Sequence, residues 1–300
     1  YYHMVADRKP DYYYQQPISV DDFRYQLEWL KKNRFEFVSL ADIGKTTNRR
    51  QVAITTDDGF CENYTNLAPV LSDYKIPATF FLINSCIDNR DLMWMNKLFA
   101  VESRVGSSKT KELVYTILRD KKILSAEWRS LKKIYSAIPM NRKDEVVNEL
   151  WAASPLPSLT DFLAEHKPYM LSAQIDELLS AGFSIGGHTM THPRCAALTL
   201  PELKREVVDS VVELSQKFNA TVDYFAYPFG SRPNKVNEQE LLLMAGETIF
   251  MGIKNHDEPL RGSRVWERDK MEQSRMVSLF WFSIMPLIRK FLLKPLGFYK

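Results

Sequence analysis

The chain has 300 residues, 45% of them hydrophobic, enough to bury the core of one large α/β domain with an insertion, or of two domains. Its 40 basic and 37 acidic residues leave a net charge of only +3, which argues against nucleic acid as the main partner. Three cysteines, Cys61, Cys86 and Cys195, are odd in number and lack CxxC spacing, so neither a disulfide framework nor a thiolate zinc site is indicated.

Tyr1-Tyr2-His3-Met4-Val5 has the pattern of a strand. It opens without an initiator methionine, so residues are expected to precede it, and no basic region followed by an apolar core marks a signal peptide. The expected location is cytoplasmic or membrane-peripheral. After a loop from Pro10 to Pro17, Ser19 with Asp22 three residues on can start a helix bearing Phe23, Leu27 and Leu30. Phe35 to Leu40 alternates like a strand. A second apolar run begins at Gln51 and ends in Thr55-Thr56-Asp57-Asp58-Gly59-Phe60. An irregular helix, interrupted at Pro69, follows over Asn63 to Tyr74, and then the apolar strand Ala78 to Ile83.

From about residue 87 to 168 strand signals vanish, and Lys- and Leu-rich helical segments such as Ser107 to Arg119 and Asn141 to Trp151 take over. This stretch is expected to be a helical insertion, with Trp94, Trp128 and Trp151 in the core of its own layer. Alternation then resumes. Ser172 can cap a helix with Ile175, Leu178 and Leu179, which Gly182 ends before the strand Phe183 to Ile185. Thr199 and Glu202 form a capping box before Leu203, Val207, Val211 and Leu214. Strands at Tyr224 to Tyr227 and Thr248 to Ile253 flank a helix from about Asn237 to Ala245, and a last strand is expected around Arg264 to Glu267.

Strands alternating with helices imply a mostly parallel sheet with helices outside. Seven or eight strand candidates favour closure into a barrel over an open sheet. The expected layout is a barrel over residues 1-270, interrupted by the insertion at 87-168, and an apolar basic tail over 271-300. In that tail Pro286, Arg289, Lys290 and Lys294 break the apolar run before the roughly 20 residues a bilayer span requires. Two readings stay open: peripheral membrane contact through residues 276-300, or a terminal helix docked on protein.

Three strand ends carry the chemistry. An isolated Asp-Asp-Gly is most often a polar turn. Here Asp57 and Asp58 stand where a strand runs out, and Gly59 frees the chain to turn so that both carboxylates can reach one place. Gly186-Gly187-His188-Thr189-Met190-Thr191-His192-Pro193 puts two of the five histidines just past another strand, where they can converge on a metal ion. It is not a metalloprotease HExxH, because Thr189 stands where that motif has its glutamate. Phe225-Ala226-Tyr227-Pro228-Phe229-Gly230 ends a third strand. In a parallel barrel all three ends gather at one face.

TTDDGF, HTMTHP and AYPFG, in this order, resemble the first three motifs of the polysaccharide deacetylases, the NodB-homology enzymes of carbohydrate esterase family 4. YYHMV, IPATFFL and the helix before GFSIGGH match as well, so the resemblance covers most of the chain outside 87-168 and the tail. It implies a distorted (β/α)7-8 TIM-like barrel with a helical insertion, and metal-dependent removal of N-acetyl groups from an acetylated amino sugar in a polysaccharide or glycolipid. Carried over by motif, Asp58, His188 and His192 are the metal ligands and Asp57 is the catalytic base acting on a metal-bound water. Two imidazoles and a carboxylate suit zinc best, with cobalt, nickel or iron also compatible. Tyr227, Pro228 and Phe229 line the substrate and oxyanion side, with the Phe229 N-H as the donor, and Thr56 and Thr191 stand ready to fix ligands.

Two departures matter. Ala226 occupies the position where the family often has the arginine that orients the base, which makes Arg264 the expected replacement. The late histidine that serves as general acid has no clear match; His256, followed by Asp257, is the first choice and His3 the second. Two alternatives therefore accompany the deacetylase reading: an O-acetyl esterase or non-sugar amide hydrolase using the same centre, and a saccharide-binding protein impaired in catalysis.

Overall fold

The structure is a computed structural model that describes residues 1–45, 50–123, 135–253 and 264–272. Two short strands, β1 (Glu36–Phe37) and β2 (Gln51–Val52), form a small parallel pair. The main sheet runs β3 (Ile54–Thr56), β4 (Ala78–Leu82), β5 (Ser184–Gly187), β6 (Tyr224–Ala226), β7 (Ile249–Ile253) and β8 (Val265–Arg268). Its spatial order is the sequence order, and every pairing is parallel. Such an order needs a crossover between each pair of strands, and helices lie in the crossovers from β3 to β7.

The curled sheet is closed by the first residues of the chain. Tyr2 donates to Thr55 O (2.9 Å) and its carbonyl accepts from Asp57 N (2.8 Å). On the other side the Tyr1 nitrogen donates to Asp269 O (2.7 Å), and Met271 N donates to Tyr1 O (3.0 Å). The segment expected as a first strand thus fills the gap between β3 and the end of β8, although only a single bridge, Tyr2 to Thr56, is regular strand pairing. The expected strand over Phe35 to Leu40 shrinks to the two residues of β1.

Strand alternation sorts the core. Phe81, Tyr224, Ala226 and Met251 face the barrel interior and pack with Leu40, while Phe80, Ile185 and Phe225 face the helices. Phe81 needs the absence of a side chain opposite: a Cβ on Gly186 would stand 2.4 Å from its ring. Between β4 and β5 lie the helices Trp94–Val105, Ser107–Asp120, Lys143–Ala152 and Leu159–His166. They bury Leu98, Val101, Val114, Leu118, Val147 and Leu150 in a cluster continuous with Tyr13, Phe60 and Phe225 of the barrel. Trp94 and Trp151 are buried in it, and Trp128 lies outside the described residues.

Local signals act largely as the residues suggest. Ser19 Oγ accepts from Asp22 N at 3.1 Å, and Glu202 accepts from Thr199 N at 2.8 Å. Ser172 is not a cap but the first helical residue; its N-H and hydroxyl both donate to Asp88 across 84 residues of sequence. Among the described residues no helix is long and apolar enough to cross a membrane. The tail over 276-300 lies outside them.

Candidate active site

Asp57 and Asp58 leave the C-terminal end of β3, and both are buried. Asp58 adopts φ 71°, as does Gly59 at φ 72°, so the chain turns sharply and presents both carboxylates at the strand mouth. His188 follows β5 directly. Two further left-handed residues, Thr189 (φ 71°) and His192 (φ 59°), curl the loop so that His192 returns beside it.

Asp58 Oδ1, His188 Nε2 and His192 Nε2 form a nearly equilateral triangle with edges of 3.3, 3.2 and 3.2 Å. Asp58 Oδ1 is buried without a well-formed hydrogen bond. His188 Nδ1 lies 2.7 Å from the Ala226 carbonyl, which can only accept, so Nδ1 carries the proton and Nε2 faces the triangle with its lone pair. Asp58 Oδ1 and the His188 Nε2 lone pair face the same point as His192 Nε2, a carboxylate and two imidazoles whose chemistry suits a divalent cation. Tetrahedral zinc with bonds of about 2.0 to 2.2 Å sets its ligand atoms roughly 3.3 to 3.5 Å apart. The observed edges fit a divalent ion. These residues are also a group within metal-binding distance, with ligand atoms all inside 4.8 Å of one another.

Asp57 stands apart from the triangle. Its carboxylate is gripped by Arg268, Oδ1 by Nη1 at 2.7 Å and Oδ2 by Nη2 at 2.8 Å. The guanidinium also donates to Thr55 Oγ1 (3.2 Å) and lies over the rings of Tyr1 (4.5 Å) and Phe81 (5.2 Å). Burial pushes the Asp57 carboxyl up, but Arg268 and His188 more than offset this, so it lies below the usual carboxylate range. The guanidinium paired with Asp57 is therefore that of Arg268 and not that of Arg264. Arg264 precedes β8 at its N-terminal end and donates to Leu242 O, whereas the site gathers where the strands end. Its position four residues later on the same strand, at the C-terminal end, is the signal that would have singled out Arg268.

His3, on the first segment of the chain, lies within electrostatic reach of both Asp57 and Asp58. Its Nδ1 pairs with Glu272 Oε2 at 2.8 Å, and Glu272 Oε1 accepts from Met4 N at 2.8 Å and from His3 N. Burial alone would lower the imidazole, but the Glu272 carboxylate and its hydrogen bond hold it above the ordinary histidine value. His256, the first choice as general acid, lies outside the described residues. Glu272 carries no local sequence pattern that would have found it.

The third strand end divides by alternation. Tyr227 turns away from the site, its ring stacked on Phe250 at 5.4 Å and its hydroxyl buried without a partner, so it belongs to the sheet-helix core and not to a substrate surface. Pro228 opens a single turn, and Phe229, at φ 57°, sets its ring 4.6 Å from that of His192. Thr56 Oγ1 has no partner. Thr191 accepts from Lys143 Nζ (2.8 Å) and donates through its hydroxyl and N-H to Glu206 (2.8 and 2.9 Å), so it braces the loop and not a ligand ring. Thr189 Oγ1 instead receives His192 N at 2.8 Å. Cys86 and Cys195 are buried free thiols, and Cys61 is a half-buried one.

A family profile described as polysaccharide deacetylase matches residues 44–138 and 140–243. Among curated proteins, poly-beta-1,6-N-acetyl-D-glucosamine N-deacetylases match: that of Escherichia coli K12 is 30% identical over 93 residues, 29% of this chain and 14% of that protein. That of Staphylococcus epidermidis is 34% identical over 86 residues, 27% of this chain and 30% of that one. The matches thus span less than a third of either relative's length. Among solved structures, a Streptococcus pyogenes deacetylase in complex with acetate superposes with a TM-score of 0.58 at 15% identity, covering 93% of this chain and 94% of that one. A de-N-acetylase from Aggregatibacter actinomycetemcomitans gives 0.56 at 16% identity, covering 90% and 93%. Both likenesses are of fold.

Proposed function

This chain belongs to the polysaccharide deacetylase family, and from that premise we propose that it is a metal-dependent hydrolase removing N-acetyl groups from an acetylated amino sugar. The observation that carries the reading is the buried triangle of Asp58, His188 and His192 beside a carboxylate, Asp57, held by a separate arginine. The names of the two curated relatives favour N-acetylglucosamine in a polymer as the substrate class.

Asp58, His188 and His192 would hold a divalent ion, zinc by the chemistry of its donors. Such an ion supplies a Lewis acid that polarises the acetyl oxygen and makes an attacking water acidic near neutral pH. The bidentate grip of Arg268 keeps Asp57 ionised and its lone pairs aimed at the mouth, where it takes the proton of the attacking water. The Phe229 N-H is the oxyanion donor from the chain. On the other side the imidazolium form of His3, which the Glu272 carboxylate favours, gives its proton to the leaving amine. The amide C-N bond then breaks, the amine leaves neutral with the proton from His3, and the acetic acid formed, which keeps the second proton of the water, gives that proton to the solvent to become acetate.

Arg268 also weakens the reading of an impaired saccharide-binding protein, because it supplies the guanidinium that Ala226 lacks. The test is acetate release from N-acetylglucosamine oligomers set against acetylated xylan. Release from the amide substrate supports the deacetylase; release from xylan alone would move the assignment to an esterase. Contact with a membrane through residues 276-300 stays a proposal resting on the apolar basic sequence, and equal vesicle sedimentation with and without those residues would remove it.

A further inference from the structure

Trp94 opens a helix of the segment between β4 and β5, yet its indole Nε1 donates to the carbonyl of His192 at 2.8 Å. The side chain is almost completely buried, at 1% exposure. His192 is an expensive residue to hold. It has φ 59° and is followed by Pro193, whose ring disfavours all but extended conformations in the residue before it. A non-glycine residue in the left-handed region persists only where its surroundings fix it. Both backbone groups of His192 are fixed: the N-H by Thr189 Oγ1 at 2.8 Å, the carbonyl by Trp94.

The same indole meets a second strained residue. Its ring stands edge-on to Phe229, 6.2 Å between centroids, and Phe229 has φ 57° and packs its own ring on the His192 imidazole. The Arg194 guanidinium covers the indole at 5.7 Å and donates to Ser136 O and Ile138 O, both 3.1 Å away. One tryptophan from the helical segment therefore touches the loop that carries a metal ligand and the turn that carries the oxyanion donor.

We infer that Trp94 is a positioning residue that sets the metal ligand His192 and the Phe229 turn relative to each other, so that the helical segment between β4 and β5 is part of the catalytic apparatus. This rests on the reading of Asp58, His188 and His192 as metal ligands. Trp94 acts through the peptide of His192 and touches no substrate. Groups that orient metal ligands typically control affinity by about 10- to 100-fold.

Trp94→Phe removes the N-H and keeps a ring in place. Trp151→Phe is the control, since the buried Trp151 Nε1 also donates to a backbone carbonyl, Pro157 O at 3.0 Å, that belongs to neither the His192 loop nor the Phe229 turn. Zinc affinity is measured by competition with a chromogenic chelator on chelator-stripped full-length chain, with near-ultraviolet dichroism to verify native packing. The expected result is a loss of about tenfold or more in zinc affinity for Trp94→Phe, a lower kcat at unchanged KM for the reconstituted enzyme, and wild-type affinity for Trp151→Phe. Equal affinity in Trp94→Phe and wild type would overturn the inference. So would an equal loss in both variants, which marks a general packing effect. Wild type that binds no zinc, cobalt or nickel would instead sink the metal reading, and the inference with it. A Trp94→Phe chain that fails to fold is replaced by Trp94→His, which restores a ring N-H; affinity no better than that of Trp94→Ala then counts against Trp94.

Discussion

The two sides of the site are built on opposite electrostatic plans. On the triangle side, Asp58 Oδ1, His188 Nε2 and His192 Nε2 face one another within 3.3 Å, an arrangement that fits a cation between them. On the other side every charge has its partner: Asp57 with Arg268, His3 with Glu272. We propose that the first side is completed by a cation, while the second balances itself. Metal removal should therefore disturb the triangle and leave the two ion pairs standing, whereas removal of a single partner from the paired side should destabilise the fold itself.

The largest expected effect sharpens that contrast on activity. Asp57→Asn removes the base and, with it, the charge partner of Arg268, so kcat of the folded chain should fall by about 10²- to 10⁴-fold alongside a loss of stability, with zinc affinity nearly unchanged, measured by acetate release and chelator competition. A matching loss of zinc would mean that Asp57 belongs to the triangle after all.

Arg268→Gln probes the paired side through stability. It leaves a buried carboxylate with a neutral partner, and chemical denaturation should show a loss on the order of 3 to 5 kcal/mol, together with a lower kcat as the Asp57 carboxyl rises toward neutral protonation. Arg264→Gln, by contrast, should leave kcat near wild type.

A smaller effect is one of pH. His3 lies above its ordinary value because of Glu272, so the stability that the imidazolium contributes is fully present below the unfolded value of 6.5 and is lost as pH rises through the higher folded value. Glu272, lowered mainly against burial by His3, contributes above the ordinary carboxylate range and loses its contribution as pH falls. As an acid toward the amine, His3 must be protonated, so activity falls on the alkaline side. Glu272→Gln should move that alkaline limb to lower pH; an unmoved limb would remove His3 from the role.

Smallest is a change that should touch neither side. Asp88 accepts from Ser172 N and Oγ and from Lys217 Nζ, and these partners, working against burial, bring its carboxyl down to about 2. Because the side chain is about a third exposed, Asp88→Ala should cost only about 1 kcal/mol by denaturation and leave kcat alone.

The same division decides what could be seen in the residues. The triangle comes from two short stretches, TTDDGF and HTMTHP, whose ligands are close in sequence because each sits on one tight loop at one strand end. Order of strands and helices was equally legible, since alternation of period is local. The paired side joins residues from opposite ends of the chain, His3 to Glu272 across 269 positions and Asp57 to Arg268 across 211. No local pattern carries such a contact; only the closure of the sheet by Tyr1 and Tyr2 brings them together. Arg264 and Arg268 stand at opposite ends of one strand, and only the C-terminal end faces the site. Tyr227 is separated from the site by alternation: one residue along a strand exchanges barrel interior for outer core.

The central claim is that one side of this site needs a cation and the other does not. Acetate release from N-acetylglucosamine oligomers should be abolished by a strong chelator and restored by zinc or cobalt, while the chelator-stripped chain keeps its Asp57–Arg268 and His3–Glu272 pairs and unfolds at close to the same denaturant concentration as a chelator-stripped Asp58→Asn chain. Hydrolysis that persists undiminished after chelation, with no metal left in the protein, would contradict it.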